Sequence, residues 1–531
     1  MDGASSFPAG GGRAGHRGAR TVADVLRRAA AEAPDQQAVE VIGAADVAGV
    51  EEGGDIAGAS LTFAQWNARA SRVGQALLRA GVAKGDRVAL LFDNAAALDY
   101  LACYFGVHKA GGVAVPVGPR LAPPELRAIF AHAQVRAAVA APSLVARARN
   151  AVPADASVYA APELVLAAGV SAADPEVPVA PDDLADILYT SGTTGSPKGV
   201  ACTHASVTVM ANRALKAFAG QPFLHAVPLY TFAGAHGMTF LPLRARMVAT
   251  VMAEFDAARF LAVCAARRAA VAFIVPAMGR LLLDAPGAAR RDTSAVKVLM
   301  FGSAPMPPST IEALAAIFPQ AHLVNLYSST EAGAATCALP PGEAARRPGS
   351  VGLPIPPTEV RIVRDDDTSA SVGETGEVWL KSVAPPRVYY RDPAATAAAW
   401  AGDWLRTGDV GYLDADGYLY LVDRKRDLVI RGGFNVFTGE IDAVLEAHFA
   451  VREAAVIGVP HDVLGEDLCA FVALRPGRVA DAAALRAHCL ARVADYKSPR
   501  QFVFVEALPR SALGKVLKRA LRQRWDDERA P

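Results

Sequence analysis

Cysteine is scarce in this sequence, with six thiols in 531 residues: Cys103, Cys202, Cys264, Cys337, Cys469 and Cys489. None forms a Cys-x-x-Cys pair or has a histidine at metal-ligand spacing. That argues against a disulfide framework or a zinc module and points to reduced, buried thiols in a cytoplasmic protein. A charge bias is missing too: Lys and Arg total 54 against 53 Asp and Glu, a net charge of +1. No global field therefore recruits nucleic acid or an anionic membrane. The longest central stretch without Asp, Glu, Lys or Arg, Ala217 to Leu243, is broken by Pro222, Pro228 and Pro242. A membrane helix of roughly 20 residues rarely accepts such interruptions, so no integral membrane segment is expected. The Gly-x-Ser-x-Gly element of a hydrolase nucleophile occurs nowhere. The opening "MDGASSFPAGGGRAGHRGAR" lacks the apolar core of a secretion signal and reads as a disordered tail over residues 1–20. Its GxGxxG, Gly10 to Gly15, follows no strand pattern and is a chance match in Gly-rich sequence.

What is present is ample core material, 52% apolar residues, in a chain long enough for about two to four domains or subdomains. "TVADVLRRAAAEAP" has helical spacing with Thr21 as N-cap, and "SLTFAQWNARASRVGQALLRAGV" reads as a strand end and an amphipathic helix stopping at Gly81. "RVALLFD", "GGVAVPVGP", "AVAFIVP", "VKVLMFGSAP" and "AHLVNLYSS" are short apolar runs of the kind found in buried parallel strands, with Ala-rich helices between the later ones. This predicts layered α/β subdomains. From about Val351 the strands shorten and alternate, "TEVRIV", "GEVWLKS", "GYLYLVD" and "DLVIRGG", as in a barrel-like antiparallel piece. After "DRKRD" a further hundred or so residues resume strand–helix alternation and predict a small α+β domain. The boundaries are placed at 21–425 and 426–531.

Chemistry concentrates in a few loops. "YTSGTTGSPKGV", Tyr189 to Val200, holds three glycines, five Ser or Thr hydroxyls and one lysine. It differs from the usual P-loop, because Ser196 and Pro197 separate Gly195 from Lys198. It follows the apolar "DILYT", at a strand's C-terminal end, where α/β sheets bind ligands. Backbone N–H groups and the hydroxyls of Thr190, Ser191, Thr193 and Thr194 suit a phosphate chain, to which Lys198 adds charge. "NLYSSTEAG" offers Tyr327 to stack on a base, Thr330 for a phosphate and Glu331 as a hard oxygen ligand for Mg²⁺. "WLRTGDVGYLDADGYL" places Asp409 in a tight Gly-flanked turn, a carboxylate suited to ribose hydroxyls. "LPRSALGKVLKRALR" holds Lys515 after a glycine and before a basic helix.

Together these motifs resemble the adenylate-forming superfamily of acyl- and aryl-CoA ligases, luciferases and peptide-synthetase adenylation domains. "YTSGTTGSPKG", "NLYSSTE", "RTGD", "DRKRDLVIRGGFNVFTGEI" and a late "GK" match in order from about residue 21 to 525. The resemblance implies attack of a carboxylate on the α-phosphate of ATP, then displacement of AMP by a thiol. It implies that Thr190, Ser191, Gly192, Thr193, Thr194, Gly195 and Lys198 grip the departing pyrophosphate. Gly302, Ser303 and Ala304, with Asn325 and Tyr327, would form the adenine slot. Thr330 would meet the α-phosphate, Glu331 the Mg²⁺, and Asp409 and Arg424 the ribose. Lys515 would bridge the carboxylate and the α-phosphate. The small domain would rotate about Arg426, where relatives usually carry Asp or Lys, and Gly432 and Gly433 would flank the tunnel for the pantetheine of coenzyme A.

Two departures from the family pattern concern the substrate. Tyr230 and Thr231 stand where relatives often have an aromatic–His pair, and Ser328 replaces a glycine at the acyl-pocket wall. Phe232, Ala233, Gly234, Met238 and Pro276 would line that pocket, and His236 would touch substrate or be structural. No Asp stands in "LYTFAG" to hold an α-amino group, so a small to medium acyl or aryl acid is expected. Three functions compete: a stand-alone acid–CoA ligase, a ligase loading an acyl-carrier protein in trans, and an inactive nucleotide-binding regulator.

Overall fold

The structure is a computed structural model, which describes residues 20–47, 56–167, 169–190, 198–209, 214–304, 306–333, 336–432, 434–511 and 514–528. The tail expected over 1–20 thus lies, up to residue 19, outside the described residues. Thr21 caps the first helix, Val22–Glu32, in a reciprocal box with Asp24, and Thr62 and Gln65 do the same for Phe63–Arg79. Each box satisfies backbone N–H groups that a helix start leaves orphaned.

Two large sheets face a shared helical layer. The first has seven strands; its parallel part is Leu184–Thr190, Val113–Val117, Arg87–Leu91, Val135–Ala140 and Ser157–Ala160. Lys198–Thr203 and Val388–Tyr389 extend it antiparallel at one edge. The second has fourteen strands around six parallel ones, in the order His322–Tyr327, Val298–Gly302, Val271–Ile274, Pro222–His225, Val248–Met252 and Gln37–Ile42. Val88, Leu90, Val139 and Leu188 of the first sheet pack in the same core as Val39 and Val251 of the second. Trp66, Leu77, Tyr100 and Phe105 from the helices Phe63–Arg79 and Ala97–Lys109 complete that core. Residues one step along a strand point to the opposite face. Hence Ala272, Ile274, Leu299 and Phe301 join one cluster while Val271, Phe273 and Met300 join another.

The antiparallel strands after residue 350 do not stand apart from this sheet. They run onto its edge through Cys337–Ala338 and Ser350–Pro354, continuing with Leu419–Arg424, Trp404–Leu413, Gly376–Lys381 and Glu359–Val363. One segment expected among them, "DLVIRGG", belongs elsewhere. Its strand Leu428–Arg431 pairs with Phe434–Phe437 and touches Gly465–Leu474, in a third sheet of five strands. The reason is covalent reach: after the one-turn Lys425–Asp427 the chain pairs with the nearest partner, a hairpin with the strand that follows. All six cysteines are buried, and none is joined in a disulfide. Among the described residues no helix is long and apolar enough to cross a membrane.

Candidate active site

The site is assembled where strand ends of the two large sheets meet. Thr190 and Lys198 are cross-strand partners at the mouth of a hairpin. Ser191, Gly192, Thr193, Thr194 and Gly195, between them, lie outside the described residues. Lys198 is the first residue of its strand, and its Nζ stands 4.8 Å over the ring of Tyr389.

From the second sheet come Gly302 and Tyr327, ending adjacent parallel strands. A Cβ on Gly302 would lie 2.5 Å from the Leu326 carbonyl oxygen, so only glycine allows this close approach. Ser303 follows with φ +72°, a left-handed backbone that a serine adopts at a cost of about 1–3 kcal/mol and that concentrates at binding sites. Ala304 is half-buried beside it. The Asn325 amide is buried and donates to the Ser350 carbonyl at 3.0 Å.

Asp409 joins the two remaining parts. It is buried, accepts the Tyr327 hydroxyl at 2.7 Å on Oδ2, and receives Arg424 Nε at 3.0 Å on Oδ1. Asp409 and Arg424 are cross-strand partners, so Asp409 sits within the ten-residue strand Trp404–Leu413 and not in the turn expected from its glycines. Gly408, at φ +68°, and a register shift at Val410/Gly411 give the strand its irregularity there. Burial and the Asp409 carboxylate push the Tyr327 phenol well up, keeping it a donor. Burial acts to lower Arg424, but the combined attraction of Asp409, Tyr327, Asp427 and Glu331 outweighs it and its pKa rises. Glu331 Oε1 accepts the hydroxyl of Tyr389 at 2.9 Å, and the Thr330 carbonyl accepts from Arg387 at 2.9 Å.

Most of the residues expected to line the acyl pocket lie on one irregular segment. Thr231 Oγ1 donates to the Pro228 carbonyl and accepts from Gly234 N–H, opening the π-helical turn Ala233–Met238. A Cβ on Gly234 would fall 2.1 Å from the Pro228 oxygen, so packing dictates this glycine. Tyr230 lies against Gly118, just past the strand Val113–Val117, Phe232 is half-buried, and Met238 is buried beside Phe223 and Phe273. Pro276 is buried at the start of the helix Pro276–Leu283. The Ser328 hydroxyl donates to the Gly333 carbonyl at 2.9 Å.

His236 proves structural: it is 1% exposed and its Nε2 pairs with Asp186 Oδ2 at 2.7 Å. His108 Nε2 meets the other Asp186 oxygen at 3.0 Å, and the Tyr104 hydroxyl donates to Oδ2 at 2.8 Å. Burial tends to raise Asp186, yet the pull of His108 and His236 outweighs it and holds the carboxyl well below its usual range. This node ties the strand that reaches Thr190 to the turn Ala233–Met238.

Burial pushes His204 and His225 down to about 3 and His236 to about 4. These folded values lie below the unfolded one, so the unfolded chain takes up these protons first as pH falls through about 6.5. Stability is therefore full above that pH and declines toward pH 4. Each ring should cost the fold about 2 kcal/mol at pH 5. Urea midpoints at pH 7.5 and 5 check this, and an unchanged midpoint would contradict neutral buried rings.

Lys515 is half-buried in a tight loop, where its carbonyl accepts from Ser511 N–H and its own N–H donates to Ser511 Oγ. Gly514 has φ +73°, and a Cβ there would come 2.9 Å from Cβ of Ala277 in the helix Pro276–Leu283. Arg280 of that helix pairs with Glu446 of Thr438–Glu446 at 3.1 Å. The lysine loop thus rests on the second sheet's helix. Gly514→Ala adds both a clash and a left-handed penalty of about 1–2 kcal/mol. The variant should unfold at a lower urea midpoint than wild type, and an unchanged midpoint would contradict this close packing.

Gly432, at φ +57°, turns the hairpin of the third sheet and donates its N–H to Leu464 at 2.9 Å; Gly433 lies outside the described residues. Arg426 sits in the connecting turn Lys425–Asp427, and its side chain is likewise outside them. Sequence reasoning passed over Arg387, Tyr389, Asp186 and His108, which carry no motif and become meaningful only through these contacts.

The AMP-binding enzyme family matches residues 26–390, and the AMP-binding enzyme C-terminal domain matches 440–515. The chain belongs to this family. A long-chain-fatty-acid–CoA ligase of Mycobacterium tuberculosis, FadD13, is 34% identical over 483 residues, covering 88% of this chain and 93% of its own. A fatty acid–[acyl-carrier-protein] ligase of Streptomyces coeruleorubidus, ScoC, is 32% identical over 493 residues, with 88% and 93% covered. Among solved structures, ATP-bound MatB from Rhodopseudomonas palustris superposes with a TM-score of 0.83 at 29% identity, covering 96% of this chain and 100% of that one.

Proposed function

We propose that this protein is an acid–CoA ligase that activates a carboxylic acid with ATP and passes the acyl group to the thiol of coenzyme A. The observation that carries this reading is the convergence of Lys198, Glu331 with Tyr389, and Tyr327 with Asp409 and Arg424 on one place between two sheets. The division at 425/426 fits it, with Lys515 supplied by the second unit.

The substrate carboxylate attacks the α-phosphorus of ATP, the bond to the bridging oxygen breaks, and pyrophosphate leaves with that electron pair. A thiolate then attacks the acyl carbon and AMP departs, giving a thioester. Thr190 and Lys198, with the glycines and hydroxyls between them, would hold the β- and γ-phosphates. Gly302, Ser303, Ala304, Asn325 and Tyr327 would bound the adenine, and Asp409 with Arg424 the ribose. Thr330 would meet the α-phosphate, and Lys515 would stabilise the negative charge developing between carboxylate and phosphate.

Glu331 fits a Mg²⁺ site, because that ion is commonly held by one or two carboxylates with the substrate's phosphates completing its shell. Bound there, Mg²⁺ supplies charge neutralisation on the phosphates. Gly432 and Gly433 would admit pantetheine, with Arg426 as the hinge.

Tyr230, Thr231, Phe232, Gly234, Met238 and Ser328 would shape the acyl pocket. Ser328 adds atoms to that wall, which favours a small to medium acyl or aryl acid over the long chains named for FadD13. A carrier-protein acceptor is the second reading, favoured by the similarity to ScoC. ATP–pyrophosphate exchange across a panel of carboxylic acids tests the proposal. Exchange with short or aromatic acids supports it, best exchange with palmitate overturns the pocket assignment, and exchange with none overturns the enzyme.

A further inference from the structure

The segment Arg387–Tyr389 crosses the seam between the two large sheets. Val388 and Tyr389 pair with Ala201 and Val200 in the strand that begins at Lys198. From there the Tyr389 hydroxyl reaches Glu331 Oε1 at 2.9 Å, while its ring lies beneath Lys198 Nζ at 4.8 Å. Two residues earlier Arg387, 2% exposed, donates to the carbonyls of Thr330 and Ser206 at 2.9 and 3.1 Å. Its guanidinium is packed between the Phe232 ring, 5.5 Å away, and Gly333, where a Cβ would lie 3.2 Å from it. One short strand thus grips the Thr330–Glu331 turn twice, by its backbone and by its carboxylate, and is itself sewn to the phosphate-loop hairpin.

We propose that Tyr389 is a positioning residue for the metal-binding carboxylate, holding Glu331 of the second sheet in register with Lys198 of the first. A carboxylate on a flexible side chain must be oriented before it binds a small, geometrically demanding ion, and hydrogen-bond partners behind metal ligands provide that orientation. Tyr389 donates to that carboxylate through its hydroxyl, from the strand Val388–Tyr389. Its ring face adds an attraction for the Lys198 ammonium. Arg387 fixes the backbone of the same turn, so the tyrosine acts on a carboxylate whose Cα is already placed.

The inference rests on the ATP and Mg²⁺ reading of the site, and the test separates the two. Binding of Mn²⁺ with a non-hydrolysable ATP analogue is followed by the free-ion electron paramagnetic resonance signal, in wild type and in Tyr389→Phe. The variant keeps the ring under Lys198 and loses only the hydroxyl, with folding checked by circular dichroism melting. Its Mn²⁺ affinity should fall about tenfold, and the Mg²⁺ needed for half-maximal pyrophosphate exchange should rise in parallel. The KM for the acid should stay within about twofold, because no acid contact is altered. In a Glu331→Gln background the same change should produce no further loss of Mn²⁺ affinity. Equal Mn²⁺ affinity in wild type and Tyr389→Phe, or a full additional loss in the Glu331→Gln background, overturns the proposal. A wild-type chain that binds no Mn²⁺–nucleotide overturns the ATP reading itself.

Discussion

Lys515→Ala should slow formation of the acyl-adenylate by about a hundred- to a thousand-fold, a loss of roughly 3–4 kcal/mol of transition-state stabilisation. Negative charge builds between an incoming carboxylate and the α-phosphate, and a preorganised cation stabilises it without reorganising at the moment of reaction. The loop that carries the lysine is tied down by its own backbone. The lysine backbone is held by Ser511, and the preceding Gly514 is in contact distance of Ala277. Transfer to the thiol from a synthetic acyl-adenylate should be far less affected, because no phosphorus is attacked in that step. Measuring both half-reactions is decisive. Equal losses in the two would mean that the lysine acts through the fold and not on the first transition state.

Asp186→Ala should destabilise the protein by several kcal/mol, because each buried polar partner left unsatisfied costs about 1–3 kcal/mol. The substitution strands three buried partners, Tyr104, His108 and His236, and leaves a void where the carboxylate was. Asp186→Asn keeps one acceptor oxygen and should cost less. Urea unfolding with an unchanged m-value measures both. Because the node joins the strand to Thr190 and the turn Ala233–Met238, residual enzyme should also lose acid affinity. Wild-type stability in the alanine variant would contradict a charged carboxylate at the centre of that cluster.

Much of the architecture is legible from local patterning. Thr21 announces its helix because the cap and its reciprocal partner Asp24 lie within three residues. The parallel strands announce themselves as short apolar runs because both faces are covered, as Met300 between Leu299 and Phe301 illustrates. Asp409 misleads for a related reason. Flanking glycines usually mark a turn, but here Gly408 bends a strand that long-range pairing with Leu419–Arg424 holds together. The strand Val388–Tyr389 is two residues long and is defined wholly by its partners in Lys198–Thr203. Nothing local could reveal it, and its role depends on Glu331, far from it in the chain. The same holds for Asp186 and His236, fifty residues apart in sequence and 2.7 Å apart in space.

The central claim is that one acid and one thiol are joined at the cost of ATP cleaved to AMP. It is tested most directly by mass spectrometry of a reaction holding ATP, Mg²⁺, the best acid of the panel, and either free coenzyme A or a pantetheinylated carrier protein. The account predicts acyl-CoA and AMP in equal amounts with free coenzyme A. AMP released without any thioester, or a thioester found on the carrier alone, would contradict it.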